Sequence, residues 1–327
     1  MEKQKSYETL KILPKIELHR HLEASFPLSV AQKFLPKTIS AEDLCTTPSP
    51  TLEEVLEKFK IIQHAFSSKE AVSTLSYAAV EEAARDNIKI LELRFSPGFM
   101  TEQTKLPWEE ALEGVIEGTQ KAAKDRGVAV GLLLISSRDY GIKSCKKTID
   151  LALHYKKHIV GVDLAGPEHG FPPDTYQDEF LRAKTAGLHV TVHAGETEFP
   201  ENILTAVNKL GAERIGHGIQ IINRPDILDE MIKRKIHFEI SISSNYITQA
   251  VKKIEDHPIK NFISKGLSVS INTDDPLFFN IDLTHEYAIF ENKFDLASKD
   301  LKKVLQNTYE ASFIAEDKKE KFKNLFY

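Results

Sequence analysis

Apolar residues along the chain fall into two alternating rhythms. Short, mostly β-branched runs of strand length occupy residues 15–18, 88–95, 128–135, 159–164, 188–192, 214–215, 236–242 and 267–271. Most of them stop at Gly, Ser, Asn, Asp or Pro, residues that favour turns and loops. Between the runs, residues 71–85, 108–125, 145–155, 176–186, 202–210 and 225–233 repeat their apolar positions at helical spacing. Ser73, ahead of one apolar run, and Pro225, early in another helix, are candidate helix starts. Strand and helix alternate through all eight runs, which predicts parallel strands joined by crossover helices. Eight units fit a closed (β/α)8 TIM barrel. An open doubly wound sheet is the rival, but no G-x-G-x-x-G turn follows the first strand.

The 327 residues exceed the roughly 250 of a plain barrel, and no Pro/Ser linker or low-complexity tract divides them. The expectation is therefore one barrel domain over 1–327. Residues 26–66 are too long for an ordinary crossover, so helical insertions after strand 1 are expected to roof one end. The net charge of −5 argues against a nucleic-acid partner, since the lysine pairs at 252–253, 302–303 and 318–319 alternate with acids as on solvated helix faces. Cys45 and Cys145 lie far apart and form neither a metal spacing nor a disulfide framework. The first 13 residues lack an apolar core, and no run approaches the roughly 18 apolar residues of a membrane span. A soluble cytoplasmic protein, without membrane partners, is the expectation.

Barrel enzymes assemble their sites from loops at the carboxyl ends of the strands, and that is where the reactive residues fall. The first run leads into His19-Arg20-His21-Leu22-Glu23. Residues two apart on a strand project to one side, so the two imidazoles can share a cation. Alone, the pair is more often a half-buried strand with two structural histidines. The fifth run delivers His193-Ala194-Gly195-Glu196, the sixth Gly216-His217-Gly218, and the eighth Thr273-Asp274-Asp275-Pro276. Each has a bland reading as a core histidine or an Asp turn. Together on one rim, these imidazoles and carboxylates form a donor set that suits zinc.

The motifs resemble the adenosine/adenine deaminase family of the amidohydrolase superfamily. The matching stretches are P-K-I-E-L-H-R-H-L-E (14–23), L-E-L-R-F-S-P (91–97), V-G-V-D-L-A-G-P-E (160–168), V-H-A-G-E (192–196), E-R-I-G-H-G (213–218) and S-I-N-T-D-D-P (270–276), with S-S-N (243–245) and His257-Pro258 besides. The resemblance implies a hydrolytic deaminase acting on a small purine with water. By it, His19, His21, His193 and Asp274 hold Zn2+, Glu196 faces purine N1, and His217 and Asp275 attend the attacking water. Gly166 would offer its backbone N–H to purine N3, with Asp163 and Glu168 flanking that loop. Binuclear relatives of this architecture bridge their metals with a lysine after strand four. Here that run ends Val162-Asp163-Leu164-Ala165-Gly166, so one metal per chain is expected.

One departure bears on the substrate. Adenosine deaminases of the family typically carry H-L-D-G after the first strand, whereas this chain has His21-Leu22-Glu23-Ala24. The longer Glu23 carboxylate competes with a ribose for space, yet can hydrogen-bond a sugar. An adenosine-type nucleoside is the first expectation, with adenine or aminodeoxyfutalosine as alternatives. A cyclic amide or ester hydrolysed on the same scaffold is the rival from another reaction class. His64, His154, His158, His169, His189, His237, His257 and His285 are read as surface or packing residues. Trp108 is read as core, and Phe26 and Phe66 as contacts of a lid.

Overall fold

The computed structural model describes residues 7–46 and 52–327. Eight strands among them, β1 (Lys15–His21), β2 (Ile88–Phe95), β3 (Ala129–Ser137), β4 (Gly161–Ala165), β5 (His189–His193), β6 (Arg214–Gly216), β7 (His237–Ile240) and β8 (Ser268–Ile271), pair in parallel in chain order. Helices cover their outer faces, giving the (β/α)8 TIM barrel that the alternation predicts. Leu91 and Leu93, Val162 and Leu164, and Val190 and Val192 fill the apolar layer between strands and helices. The alternate positions Arg94, Asp163, Thr191 and Glu239 meet one another inside the barrel, as the period of two requires.

The barrel closes at the rim that carries the chemistry. His21 N–H donates to Asp274 O at 2.9 Å, and Asp274 N–H donates to His19 O at 3.1 Å. Asn272 Oδ1 adds a second stitch, accepting the backbone N–H groups of Leu18 and His19 at 3.0 and 3.1 Å. Closure thus sets Asp274 beside both histidines of β1. The opposite end is plugged by the turn after the helix Ser298–Ala311. There Ser312 Oγ and Phe313 N–H donate to Glu92, and the Arg214 guanidinium lies 3.6 Å over the Phe313 ring.

Local differences from the sequence pattern have physical causes. β1 runs on to His21, so both histidines sit within the strand and not after it. β7 ends at Ile240, short of the predicted 242, because the buried Glu286 carboxylate accepts the N–H groups of Ile242 and Ser243 and starts the helix Ile242–Ile247. Ser68, not Ser73, caps the helix Lys69–Arg85, accepting from Ala71 N–H at 3.2 Å. Pro225 does open its helix. The insertion after β1 folds into the helices Leu28–Ala31, Ala41–Leu44 and Leu52–Gln63, and the last brings Phe59 onto the cavity at the rim. Phe26 and Phe66, read as contacts of a lid, do not line the cavity. They are buried edge-to-face against each other, 5.8 Å apart, away from the cavity lining. No helix among the described residues is long and apolar enough to cross a membrane.

Candidate active site

His19, His193, His217 and Asp274 bring one ligand atom each within 4.8 Å of one another, all buried. His21 stands beside them, its Nε2 3.1 Å from Asp274 Oδ1, while His19 Nε2 lies 3.2 Å from the same oxygen. Gly216 makes this crowding possible. A Cβ there would sit 3.1 Å from His19 Cε1 and 3.3 Å from the His193 ring. Asp274 (φ 67°) and His217 (φ 58°) hold left-handed backbone conformations that cost about 1–3 kcal/mol each. The β1 stitches fix the first, and a bond from His217 N–H to Glu239 O at 2.9 Å fixes the second.

Carboxylates beneath the cluster choose the tautomers. His19 Nδ1 faces Glu239 Oε2 at 2.8 Å, and His193 Nδ1 faces Asp163 Oδ1 at 3.1 Å. An ionised carboxylate only accepts, so each Nδ1 carries the hydrogen and each Nε2 presents a lone pair. His19 Nε2 has no hydrogen-bond partner, yet it points at the Asp274 carboxylate. Two acceptors facing each other in a buried site call for a cation between them, and the imidazole–carboxylate donor set suits zinc.

Arg94 ties the two supporting carboxylates together. Its Nη1 reaches Asp163 Oδ2 at 2.8 Å and its Nη2 reaches Glu239 Oε2 at 2.7 Å, while Arg214 Nε lies 2.6 Å from Glu239 Oε1. Burial alone would raise both carboxyls. The guanidiniums of Arg94 and Arg214 hold Glu239 well below the usual range, and His193 with Arg94 does the same for Asp163. Burial pushes the His193 imidazole down to about 3, so it is neutral at pH 7 and Arg94 is the charge that keeps Asp163 ionised. Arg94 lies in a motif recognised in the sequence, but nothing local assigned it this part; Glu239 carried no signal at all.

A second group of carboxyls is pushed the other way. Burial, reinforced by Asp274 and Glu168, raises Glu196, whose Oε1 lies 3.9 Å from His217 Nε2. Burial raises Glu23 to about 7. Burial, then Asp274, Glu23 and Glu196, lift Asp275 well above its ordinary value. These carboxyls open on one cavity with His21, His193 and His217, walled by Phe59, Phe99, Phe279 and Ile135. Gly166 lines it at φ 89°, where a Cβ would come within 2.7 Å of Ser137 Oγ, so only glycine turns the chain there. Arg138, fully buried, holds that turn through Gly166 O at 3.1 Å and also donates to His193 O.

Glu168 is more than a flanking residue. Its oxygens accept the N–H groups of Gly195 and Glu196 at 2.9 Å each, and Asn202 Nδ2 at 2.8 Å, clamping the turn that presents Glu196. Glu168→Ala is expected to cost about 1–3 kcal/mol, because buried N–H donors lose their acceptor. Denaturant midpoints check that loss, and a parallel fall in kcat checks the displacement of Glu196.

Most of the other histidines sit where a packing or surface reading puts them. His64 and His285 are exposed. His158 meets Gln120, His169 meets Glu198 at the surface, and His189 stacks on Phe313 at 4.4 Å. His237 is buried and bonded to Ser268. His257 is the exception, hydrogen-bonded to Asn245, which in turn reaches His217.

Comparison with known proteins places this site in context. The family model described as Adenosine deaminase matches residues 14–327. The adenosine deaminase of Salmonella schwarzengrund is 34% identical over 318 residues, 94% of this chain and 96% of its own. Among solved structures, adenine deaminase from Arthrobacter aurescens superposes with a TM-score of 0.89 at 24% identity, covering 96% of this chain and 98% of its own. An amidohydrolase from Burkhoderia ambifaria with bound Zn gives 0.90 at 21% identity, covering 98% and 91%. The match runs through every strand that carries a site residue, and the chain belongs to the adenosine deaminase family.

Proposed function

We propose that this purine deaminase converts an adenosine-type nucleoside to its 6-oxo product and ammonia, with one zinc ion held by His19, His21, His193 and Asp274. The observation that carries the reading is a buried Glu196 with a raised carboxyl pKa, sharing one cavity with a cation-fitting cluster and with Gly166. Zinc in that position would lower the pKa of a water to about 7 and so make a nucleophile available at neutral pH.

The chain's own groups do the rest. A protonated Glu196 donates to purine N1 and draws electron density from C6, the carbon under attack. His217 lies between Glu196 and Asp274, 3.9 and 3.8 Å from their oxygens, within reach of the attacking water. Asp275 orients that water. Gly166 N–H meets N3, and the apolar walls exclude bulk solvent from the ring. The two cysteines are free, which fits a reducing cytoplasm.

Charge narrows the substrate. Glu23, Asp139, Glu196, Asp274 and Asp275 line the cavity, and no Lys or Arg is among the described lining residues. A 5′-phosphate would find no Lys or Arg side chain among them to pair with, so a nucleoside is favoured over a nucleotide. Glu23 is fixed through Oε1 to Ser96 N–H at 2.8 Å, and its Oε2 has no partner. That free oxygen can accept from a sugar hydroxyl. It also favours a second reading, free adenine, whose N9–H is a donor that a nucleoside lacks. Ammonia release from adenosine, adenine, aminodeoxyfutalosine and AMP, assayed side by side, decides. Adenosine is expected to lead, with kcat/KM for AMP lower by about 10²-fold or more, roughly 2.7 kcal/mol. Ammonia from none of them overturns the proposal.

A further inference from the structure

The sequence motifs S-S-N and His257-Pro258 have no part in the reaction described so far, yet the fold joins them to it. Asn245 lies in the helix Ile242–Ile247, and His257 immediately precedes Pro258 and the helix Ile259–Lys265. All three polar side chains of the chain His217–Asn245–His257 are buried.

The direction of each bond follows from the first. Ile259 N–H, one of the unpaired amides at a helix start, donates to His257 Nδ1 at 3.2 Å. A backbone amide can only donate, so Nδ1 is the acceptor, and neutral His257 carries its hydrogen on Nε2. Burial, with no carboxylate among its causes, pushes the His257 imidazole down to about 3 and keeps it neutral. Nε2–H then donates to Asn245 Oδ1 at 3.2 Å. With its oxygen engaged, Asn245 turns its Nδ2 to His217 Nδ1 at 3.1 Å and donates there. The flipped amide is excluded, since it would require His257 to accept at both ring nitrogens. His217 Nδ1 is therefore an acceptor and its Nε2 bears the hydrogen. This is opposite to His19 and His193, whose Nδ1 atoms face carboxylates.

We propose that Asn245 and His257 are positioning residues that hold His217 in the Nε2–H tautomer, so that it faces the reaction as a hydrogen-bond donor and not as a metal ligand. This rests on the deaminase reading for its consequence, but not for its geometry. It also sorts the buried cluster. Distance alone admits His217 to the ligand set, whereas a nitrogen that bears hydrogen has no lone pair to give.

The test is long-range 1H–15N NMR on zinc-loaded protein labelled at histidine, with the His217 signals assigned by difference against His217→Gln. A pyridine-type Nδ1 and a pyrrole-type Nε2 are expected in the native protein. Asn245→Asp keeps the acceptor for His257 but presents an acceptor to His217, and should invert the pattern. It should also lower kcat by about 10²-fold, the scale of one misprotonated acid–base group, with KM little changed. His257→Gln, which can still donate to Asn245, should stay within about tenfold of native kcat, while His257→Leu falls with Asn245→Asp. A native His217 protonated at Nδ1 overturns the proposal, whether or not any purine is turned over. So does native kcat in Asn245→Asp. Should that variant fail to fold, the native spectrum alone decides. A pyrrole-type Nε2 in a protein that deaminates nothing would instead leave the tautomer standing and sink the deaminase reading.

Discussion

Glu196→Gln is expected to keep its metal and its fold while losing kcat by about 10²–10⁴-fold, the range for removing one general acid. Gln cannot transfer a proton to N1, although it fills the same volume. The backbone of residue 196 is held by Glu168, not by its own side chain, so the variant should report chemistry and not collapse. The pH dependence has a definite sign. Burial, Asp274 and Glu168 raise the Glu196 carboxyl, so its protonated form persists above the ordinary carboxyl range. Activity that needs that proton is present below the raised value and is lost as pH rises through it. Residual activity of the variant should lack that alkaline fall. Zinc content by atomic emission, together with kcat across pH, checks both halves. A zinc-replete variant with near-native turnover would remove Glu196 from the reaction.

Arg94→Met is expected to be the most damaging substitution away from the cavity. It leaves Asp163 and Glu239 fully buried without the guanidinium that joins them, a loss of about 3–5 kcal/mol for a broken buried ion pair. Metal affinity should fall as well, by about 10–100-fold, because the two carboxylates orient His19 and His193. The sign with pH again follows from the shifts. Both carboxyls lie below their unfolded values in the native protein, so their contribution is present above the unfolded range near pH 4 and is lost as pH falls through the folded values. Without Arg94 their pKa values rise, and protonation relieves the buried charge. The deficit should therefore be largest near pH 7 and should shrink on acidification. Urea unfolding of both metal-free proteins at pH 7 and pH 5 measures it. An equal deficit at the two pH values would show that Arg94 acts by packing and not by charge.

The residues that sequence reading placed in the site lie on or beside one buried cluster because strand ends are legible locally. An apolar run of period two that stops at a turn marks the rim of a barrel, and whatever follows it is delivered there. His193, His217 and Asp274 follow such runs and meet within 4.8 Å of His19. His21 needed only the two-residue repeat of β1. The helical insertion was legible as a length without a strand, but its packing was not. Which aromatic faces the cavity depends on how Leu52–Gln63 lies over the rim, and that brought in Phe59 and buried Phe26 and Phe66.

By itself the sequence determined the barrel, the order of its strands and the reactive side chains at their ends, since these follow from short-range periodicity and from where each run stops. Only the tertiary structure decided what each side chain is made to do. Glu239 selects the tautomer of His19 from 220 residues away, and Arg94 joins it to Asp163 across the barrel. Glu168 holds the turn of Glu196, and a backbone amide at residue 259 reaches His217 through two side chains. Hydrogen-bond direction and buried charge depend on neighbours brought together by folding, and no spacing along the chain encodes them.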